Sequence, residues 1–501
     1  MTWDGSPMAD FTPRSLWQVD RLDPKQFRWY LGRGLTRLFG SLLMGLLLCM
    51  HLAWPQDAWR IVGAVLVSLV AGLLLRYHLK QSPLRTTTPR IAERLIWTTG
   101  LLGVFGVQVI NLLTKGTPGP EGFLMMAPLA AQAMLTAALI GANVGIVGLT
   151  LTVVLLALFG AVPTELLAAC WLAGAVGCHT VNRLKRRGDL FRALSIQVGV
   201  QVLLALVTAT AIQTGFAQAA LGIGWAALSA AIALSIFWFG VAVFEKVFGI
   251  VSDWSLLELC SPESPLIHDL NLRAPGTYAH SVGVGNLAEN AAREIGANAV
   301  LCRAMAYYHD IGKLARPTYF VENQMDDNVH DGMPPSLSAK VIAAHVKDGV
   351  EMAQNAKLPR AIIDGIRQHH GTTLIAYFYD RAKKEGADED PELEERFRYD
   401  GPKPQTREAA ILHLADMVEA ASRSVRNRDE LEGRVYGLIE ATRADGQLDE
   451  CDLTFRDLQT VRESFVHTIG AIRHERVPYP GQEGHEAPDS DSERIQRAIE
   501  A

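Results

Sequence analysis

The sequence predicts an all-α protein: a polytopic bundle of transmembrane helices followed by an all-helical soluble domain. Three observations lead there. Residues 38–247 are nearly all apolar and break into stretches close to the length that crosses a bilayer, whereas residues 250–501 read as a soluble domain. Beyond residue 262 the apolar positions follow helical spacing, and no run alternates as a strand would. The 501-residue chain is long enough for two or three domains, and its average values (49% hydrophobic, 20% charged, formal net charge −6) conceal the split.

Residues 1–34 form a polar segment in which no cleavable signal peptide is visible. Within residues 35–247, eight apolar segments follow at about 38–55, 59–76, 95–113, 122–141, 143–162, 164–182, 193–213 and 219–244. The fourth and fifth are parted only by Gly141-Ala142-Asn143. Loop charges test the count independently. Arg14, Arg21, Lys25, Arg28, Arg33 and Arg37 fall on one side, with Arg76, Lys80, Arg85, Arg90 and Arg94. Arg183, Lys185, Arg186, Arg187 and Arg192 share that side, while the opposite loops hold only Arg60 and Lys115. The positive-inside rule puts the basic loops and the N-terminus in the cytoplasm, and an even number of crossings returns the C-terminal half there.

Trp54, Trp59 and Trp97 sit near segment ends, as interfacial aromatics do. His51, His179 and Glu165 also fall near ends, where snorkelling accounts for them. A proton relay or transport pathway would need ionisable residues at greater depth, so the bundle reads as an anchor or sensor. Residues 248–262 read as a short helical connector. The mild acidity argues against a DNA or RNA polymer as partner. The six cysteines form no CxxC, which suggests neither a disulfide framework nor a zinc knuckle.

In the soluble half, Pro275-Gly276-Thr277 opens a helix that carries His280. A second helix spans 298–310, capped by Asn298, ending on His309-Asp310 and closing near Gly312. Ser336 or Ser338 is the expected cap of a third, which carries His345. Pro359 opens a fourth, which ends at His369-His370 with Gly371 as its stop. Asp416 lies mid-helix within 408–419, and helices continue over 431–472 with a break at Gly446 and Asp449. Residues 476–501 read as a disordered tail.

Eight of the fourteen histidines fall between residues 262 and 416. One histidine on an apolar helix is most simply a satisfied core residue. Five imidazoles and two carboxylates in the order His280, His309-Asp310, His345, His369-His370, Asp416 are not so easily dismissed. They suit two borderline metal ions sharing one carboxylate, and without thiolate they fit Mn²⁺ or Fe²⁺ at least as well as Zn²⁺. Such a pair of ions acidifies a water for in-line attack on phosphorus. Lys313 is the candidate cation for charge developing on the phosphoryl oxygens, against the simpler reading of a solvated helix-end lysine. Arg367 and Lys347 are second candidates for phosphate contact, and Glu322-Asn323-Gln324 a loop bordering the pocket. His413 is expected to pack nearby, His330 to lie in a loop, His268 on the surface, and Tyr307 and Tyr308 in the core.

Longer strings carry a resemblance. Ala274-Pro-Gly-Thr-Tyr-Ala-His280-Ser, Tyr307-Tyr-His-Asp-Ile-Gly-Lys313, Ala344-His-Val-Lys-Asp-Gly349, Arg367-Gln-His-His-Gly-Thr-Thr373 and Gly401-Pro-Lys-Pro-Gln405 resemble the membrane-bound HD phosphohydrolase family. The likeness is tight over about 255–430 and loose over the multispan region. It implies an HD domain over 263–475, with one metal on His280, His309, Asp310 and Asp416. The second would take Asp310 as a bridge with His345, His369 and His370. Fe or Mn would be the metal; Asp310 and, as the candidate cation read from its place beside the doublet, Lys313 would be the catalytic residues. It further implies hydrolysis of a cyclic dinucleotide, cyclic di-AMP to pApA, by a multi-pass protein of the bacterial cytoplasmic (inner) membrane with its catalytic domain in the cytoplasm. The implied partners are that substrate and the lipid bilayer, with a homodimer left open. The sequence departs from the family in one place. Well-known members carry a large extracytoplasmic domain after their first span, where this chain has only Pro55-Gln56-Asp57-Ala58. The alternatives are hydrolysis of another nucleotide, a nucleotide receptor without catalysis and, more weakly, a transporter.

Overall fold

The computed structural model describes residues 39–472, apart from 50–57, 83–87, 115–118, 160–161, 182–183, 185–186, 212, 214, 325–327, 388–391, 424 and 426. The N-terminal arginines and lysine, His51, Trp54, the Pro55–Asp57 gap, Arg85, Lys115, Arg183, Lys185, Arg186 and the tail lie outside the described residues. The described chain is helical. Its one β feature is an isolated antiparallel bridge between Leu374 and Arg398. Two compact units divide between Ser252 and Asp253.

The first unit holds α1 (Phe39–Leu48), α2 (Ala58–Gln81), α3 (Pro89–Leu113), α4 (Met126–Leu139, preceded by a 3₁₀ turn at Pro120–Met125), α5 (Ala142–Phe159), α6 (Thr164–Val181), α7 (Arg187–Ala211) and α8 (Phe216–Phe248). Seven of the described helices, α2, α3, α4 together with its preceding 3₁₀ turn, and α5 to α8, are long and apolar enough to cross a membrane, which makes this a multi-pass membrane protein. They correspond to the second through eighth expected segments, while α1 is a ten-residue apolar helix where the first was expected. Several helices outrun their apolar stretch. Residues 89–94 belong to α3 because Thr88 accepts a hydrogen bond from the Ile91 amide and Pro89 fills the first turn. Hydropathy registers only the apolar part of such a helix. Gly141, at φ +146°, makes the abrupt break between α4 and α5.

Helix α4 sits at the centre of this unit against α3, α5, α6 and α8. Alanines at 127, 130, 131, 133 and 137 bring those neighbours close, as small residues do where helices pack in lipid. Some polar side chains bond between helices: Gln132 donates to Thr152 Oγ1 at 2.7 Å and Trp171 to Thr150 Oγ1 at 2.9 Å.

The second unit comprises α9 (Asp253–Leu259), α10 (Pro265–Arg273), α11 (Pro275–Glu294), α12 (Ala299–Tyr308), α13 (Pro335–Asn355), α14 (Arg360–Gln368), α15 (Ala376–Ala382), α16 (Leu393–Arg396), α17 (Arg407–Ser422), α18 (Arg428–Ala444) and α19 (Phe455–Ile472). Asn298 caps α12 through the Leu301 amide, as expected. The third expected helix needs a correction. α13 starts at Pro335, behind Pro334, so Ser336 and Ser338 lie in its first turn rather than at its cap. Proline supplies the helical φ there without needing a side-chain acceptor. Pro359 is the residue before α14 rather than its first. The second expected helix is shorter than foreseen, because α12 ends at Tyr308 and Ile311–Ala315 continue as a 3₁₀ turn.

Candidate metal centre

Helix ends and helix faces bring the seven singled-out residues together. His280 projects from the second turn of α11 and Asp416 from the middle of α17. His309 caps α12 and Asp310 opens the 3₁₀ turn, His345 lies on α13, and His369-His370 follow α14. Four of them, His309, Asp310, His369 and His370, thus lie just past a helix end rather than within a helix. Two local devices hold these ends in place. Gly312 backs directly onto α13, where a Cβ would stand 1.9 Å from the His345 carbonyl oxygen. Gly371, at φ +54°, turns the chain immediately after His370.

The ligand atoms form two groups, each with its atoms within 4.8 Å of one another: His280, His309 and Asp416, and Asp310, His345, His369 and His370. Asp310 joins them. Its Oδ2 lies 3.1 Å from His309 Nε2 and 3.7 Å from His280 Nε2. Its Oδ1 lies 3.3 Å from His345 Nε2 and 3.7 Å from His369 Nε2. All seven are buried except His370, whose side chain is 22% exposed and marks the open side.

Backbone carbonyls set the tautomers. His309, His345 and His369 each donate Nδ1–H to a carbonyl three residues earlier, those of Ala306 (2.7 Å), Ile342 (2.6 Å) and Ile366 (2.7 Å). In the neutral ring, Nε2 then carries a lone pair, and all three point into the cluster. His345 Nε2 and His369 Nε2 meet at 3.2 Å, and the buried His309 Nε2 and Asp310 Oδ1 have no hydrogen-bond partner. Converging lone pairs and carboxylates of this kind fit cations; without them, the desolvation of these groups would go uncompensated.

The carboxylates draw positive charge onto the nearest imidazoles, His309 and His280. Burial works against charge on His309, yet Asp310 and Asp416 hold its proton up to a pKa of about 10. Burial and the neighbouring imidazoles push His369 down to about 3 and lower His345 and His370. Burial opposes ionisation of Asp310 and Asp416, but adjacent imidazoles keep both well below the usual carboxylate range. The two carboxylates therefore demand positive charge at the centre.

Other expectations fall into place around this core. The Lys313 ammonium is 2.8 Å from Asp310 Oδ2 and 2.7 Å from Glu322 Oε1, and lies 4.9 Å above the Phe320 ring. It is buried rather than solvated, and the two carboxylates raise its pKa against burial. Glu322 also accepts from the Thr277 hydroxyl, and Asn323 accepts from the Thr277 amide, tying that loop to the first turn of α11. Arg367 and Lys347 line a cavity of about 270 Å³ together with His370 and Tyr399. His413 donates from Nδ1 to the His369 carbonyl at 2.6 Å and packs, as expected. His330 is buried and hydrogen-bonds the Tyr319 carbonyl, so it is not a free loop residue. His268 is exposed and Tyr308 is buried.

Three contributors escaped the sequence reading. Glu419, one turn after Asp416, meets His280 Nδ1 at 2.5 Å, and its i+3 position was an available signal. Tyr399 stacks on His370. Gln447, fully buried, accepts from the Thr372 amide and fastens the turn after His370, with nothing local to reveal it.

Comparison with known proteins bears on both units. A model of the HD domain matches residues 277–421, and one described as a 7TM receptor with intracellular HD hydrolase matches residues 58–252. The chain is 37% identical to the cyclic-di-AMP phosphodiesterase PgpH of Bacillus subtilis (strain 168), over 83% of this chain and 59% of that one. It is 43% identical to PgpH of Listeria monocytogenes serotype 1/2a (strain 10403S), over 48% of this chain and 33% of that one. A crystal structure of the L. monocytogenes PgpH HD domain in complex with cyclic-di-AMP is 45% identical, with a TM-score of 0.41, covering 43% of this chain and all of that one. The chain thus spans 59% and 33% of the length of these two curated relatives. The chain is thus similar to membrane-bound HD-domain proteins over both units, its membrane module and its HD domain each matched in its own right.

Proposed function

We propose that this protein is a membrane-anchored, dinuclear-metal phosphodiesterase that opens a cyclic dinucleotide, cyclic di-AMP, to the linear pApA. One observation carries the reading: the two oxygens of Asp310 face two separate groups of imidazoles, the geometry required of a bridging ligand. His280, His309, Asp310 and Asp416 would hold one ion, and Asp310, His345, His369 and His370 the other. Mn²⁺ or Fe²⁺ suits this nitrogen and oxygen set, with Zn²⁺ less favoured. When bound, the ions supply Lewis acidity and an acidified water for attack on phosphorus.

The chain's own residues do the rest. The three carbonyls and Glu419 fix the imidazole planes, so little reorganisation remains for the reaction. Lys313 steadies Asp310 and places fixed positive charge beside the centre. Lys347 and Arg367 line the adjoining cavity, where they can meet phosphate, and its apolar wall of Ala343, Val346 and Val350 excludes water. Hydrolysis of one phosphodiester consumes one water and opens the ring.

The naming of relatives as cyclic-di-AMP phosphodiesterases supports the substrate, and the basic loops support a cytoplasmic catalytic unit at the bacterial inner membrane. On this reading residues 35–247 form the membrane bundle of about eight spans, 248–262 the connector and 263–475 the catalytic domain. The test is an assay of the full chain in detergent micelles, loaded with Mn²⁺, against cyclic dinucleotides, linear dinucleotides and (p)ppGpp. Cleavage of cyclic di-AMP to pApA, lost in Asp310→Ala, is the expected result. Tight nucleotide binding with no cleavage would make the protein a receptor instead.

A further inference from the structure

Four of the five clustered imidazoles are aimed by a hydrogen bond at Nδ1, three to their own helix carbonyls and His280 to Glu419. His370 is the exception. Its Nδ1 lies 3.7 Å from Asp416 Oδ2, outside hydrogen-bond range, and its ring is partly exposed to the cavity. The Tyr399 ring lies against it instead, with centroids 4.2 Å apart and planes 24° from parallel.

Tyr399 is itself firmly placed. Its amide donates to the Thr373 carbonyl at 3.1 Å, and the Ile375 amide donates to the Phe397 carbonyl at 2.8 Å. The Arg398 guanidinium donates to the Thr372 carbonyl at 2.8 Å and pairs with Asp445 at 2.8 Å. The turn that carries His370 and the segment that carries Tyr399 are therefore clamped together through their backbones.

We propose that Tyr399 is the positioning residue for His370, setting by ring stacking the plane that hydrogen bonds set for the other imidazoles. His370 belongs to the group it shares with Asp310, His345 and His369, its ring also lies 4.0 Å from that of His369, and it stands on the side where the cavity opens. The inference rests on the two-ion reading above.

Calorimetric titration of Mn²⁺ into the full chain in detergent micelles, with the bound ions counted, tests it. The proteins compared are wild type, Tyr399→Phe, Tyr399→Leu, His370→Ala and the Tyr399→Leu/His370→Ala double variant. Wild type and Tyr399→Phe should bind two ions with matching affinities. Tyr399→Leu, which keeps bulk but loses the ring, should weaken one of the two by about tenfold. In the His370→Ala background the same substitution should change affinity by less than about twofold. Unchanged affinities in Tyr399→Leu would overturn the inference, as would an undiminished loss in the His370→Ala background. A wild-type count below two would instead overturn the two-ion reading beneath it.

Discussion

In the membrane bundle, buried and half-buried polar groups are dispersed: Gln132 bonds Thr152, Trp171 bonds Thr150, Gln197 bonds the Ala173 carbonyl and Arg76 pairs with Glu93. Single atoms such as Gln132 Oε1 and Asn111 Oδ1 have no hydrogen-bond partner. In the second unit the buried polar groups are concentrated instead, with five imidazoles and two carboxylates at one point. There, lone pairs converge where no donor answers them. The difference teaches where function is stored. Buried polarity in the bundle is scattered over separate side chains, whereas at the candidate centre ionisable groups converge on one point and demand a cation.

Four substitutions would break or sharpen this contrast. The largest effect belongs to Asp310→Ala, which removes both faces of the bridge. Phosphodiesterase activity of the metal-loaded protein should fall on the order of 10³-fold or more, measured as release of linear dinucleotide. Glu419→Gln keeps the shape but weakens the charge that aims His280, and should cost about 10–100-fold in metal affinity, read by titration. Gly312→Ala forces a methyl group into the His345 carbonyl and should destabilise the second unit by ~3 kcal/mol in thermal or denaturant unfolding, with metal uptake impaired as well. Gln132→Leu should change bundle stability by only about 1 kcal/mol, because interhelical hydrogen bonds in lipid contribute little. A loss from Gln132→Leu as large as that from Gly312→Ala would erase the distinction between the two regions.

The helical class and the seven clustered residues were legible because both leave periodic or repeated local marks. The apolar lengths of the spans stand out against any neighbouring loop, and the His-Asp doublet sits among strings of fixed spacing. Helix ends were less so. Hydropathy cannot see that Thr88 and Pro89 start α3 six residues before its apolar stretch, nor that Pro334-Pro335 start α13 without a serine cap. The supporting residues were the hardest. Glu419 could have been found from its position one turn after Asp416. Tyr399 and Gln447 reach the His370 turn from 29 and 75 residues away, through backbone pairing and a buried side chain that no local pattern foreshadows. Lys313 was recognised, but its engagement by two carboxylates depends on the fold of the Glu322 loop.

The central claim is that Asp310 joins two metal sites. Electron paramagnetic resonance of the full chain loaded with Mn²⁺ tests it most directly, since two ions sharing a carboxylate lie a few Å apart and couple magnetically. The account predicts an exchange-coupled dimanganese spectrum in the wild type that is absent in Asp310→Ala. A six-line spectrum of isolated Mn²⁺ in saturated wild-type protein would contradict it.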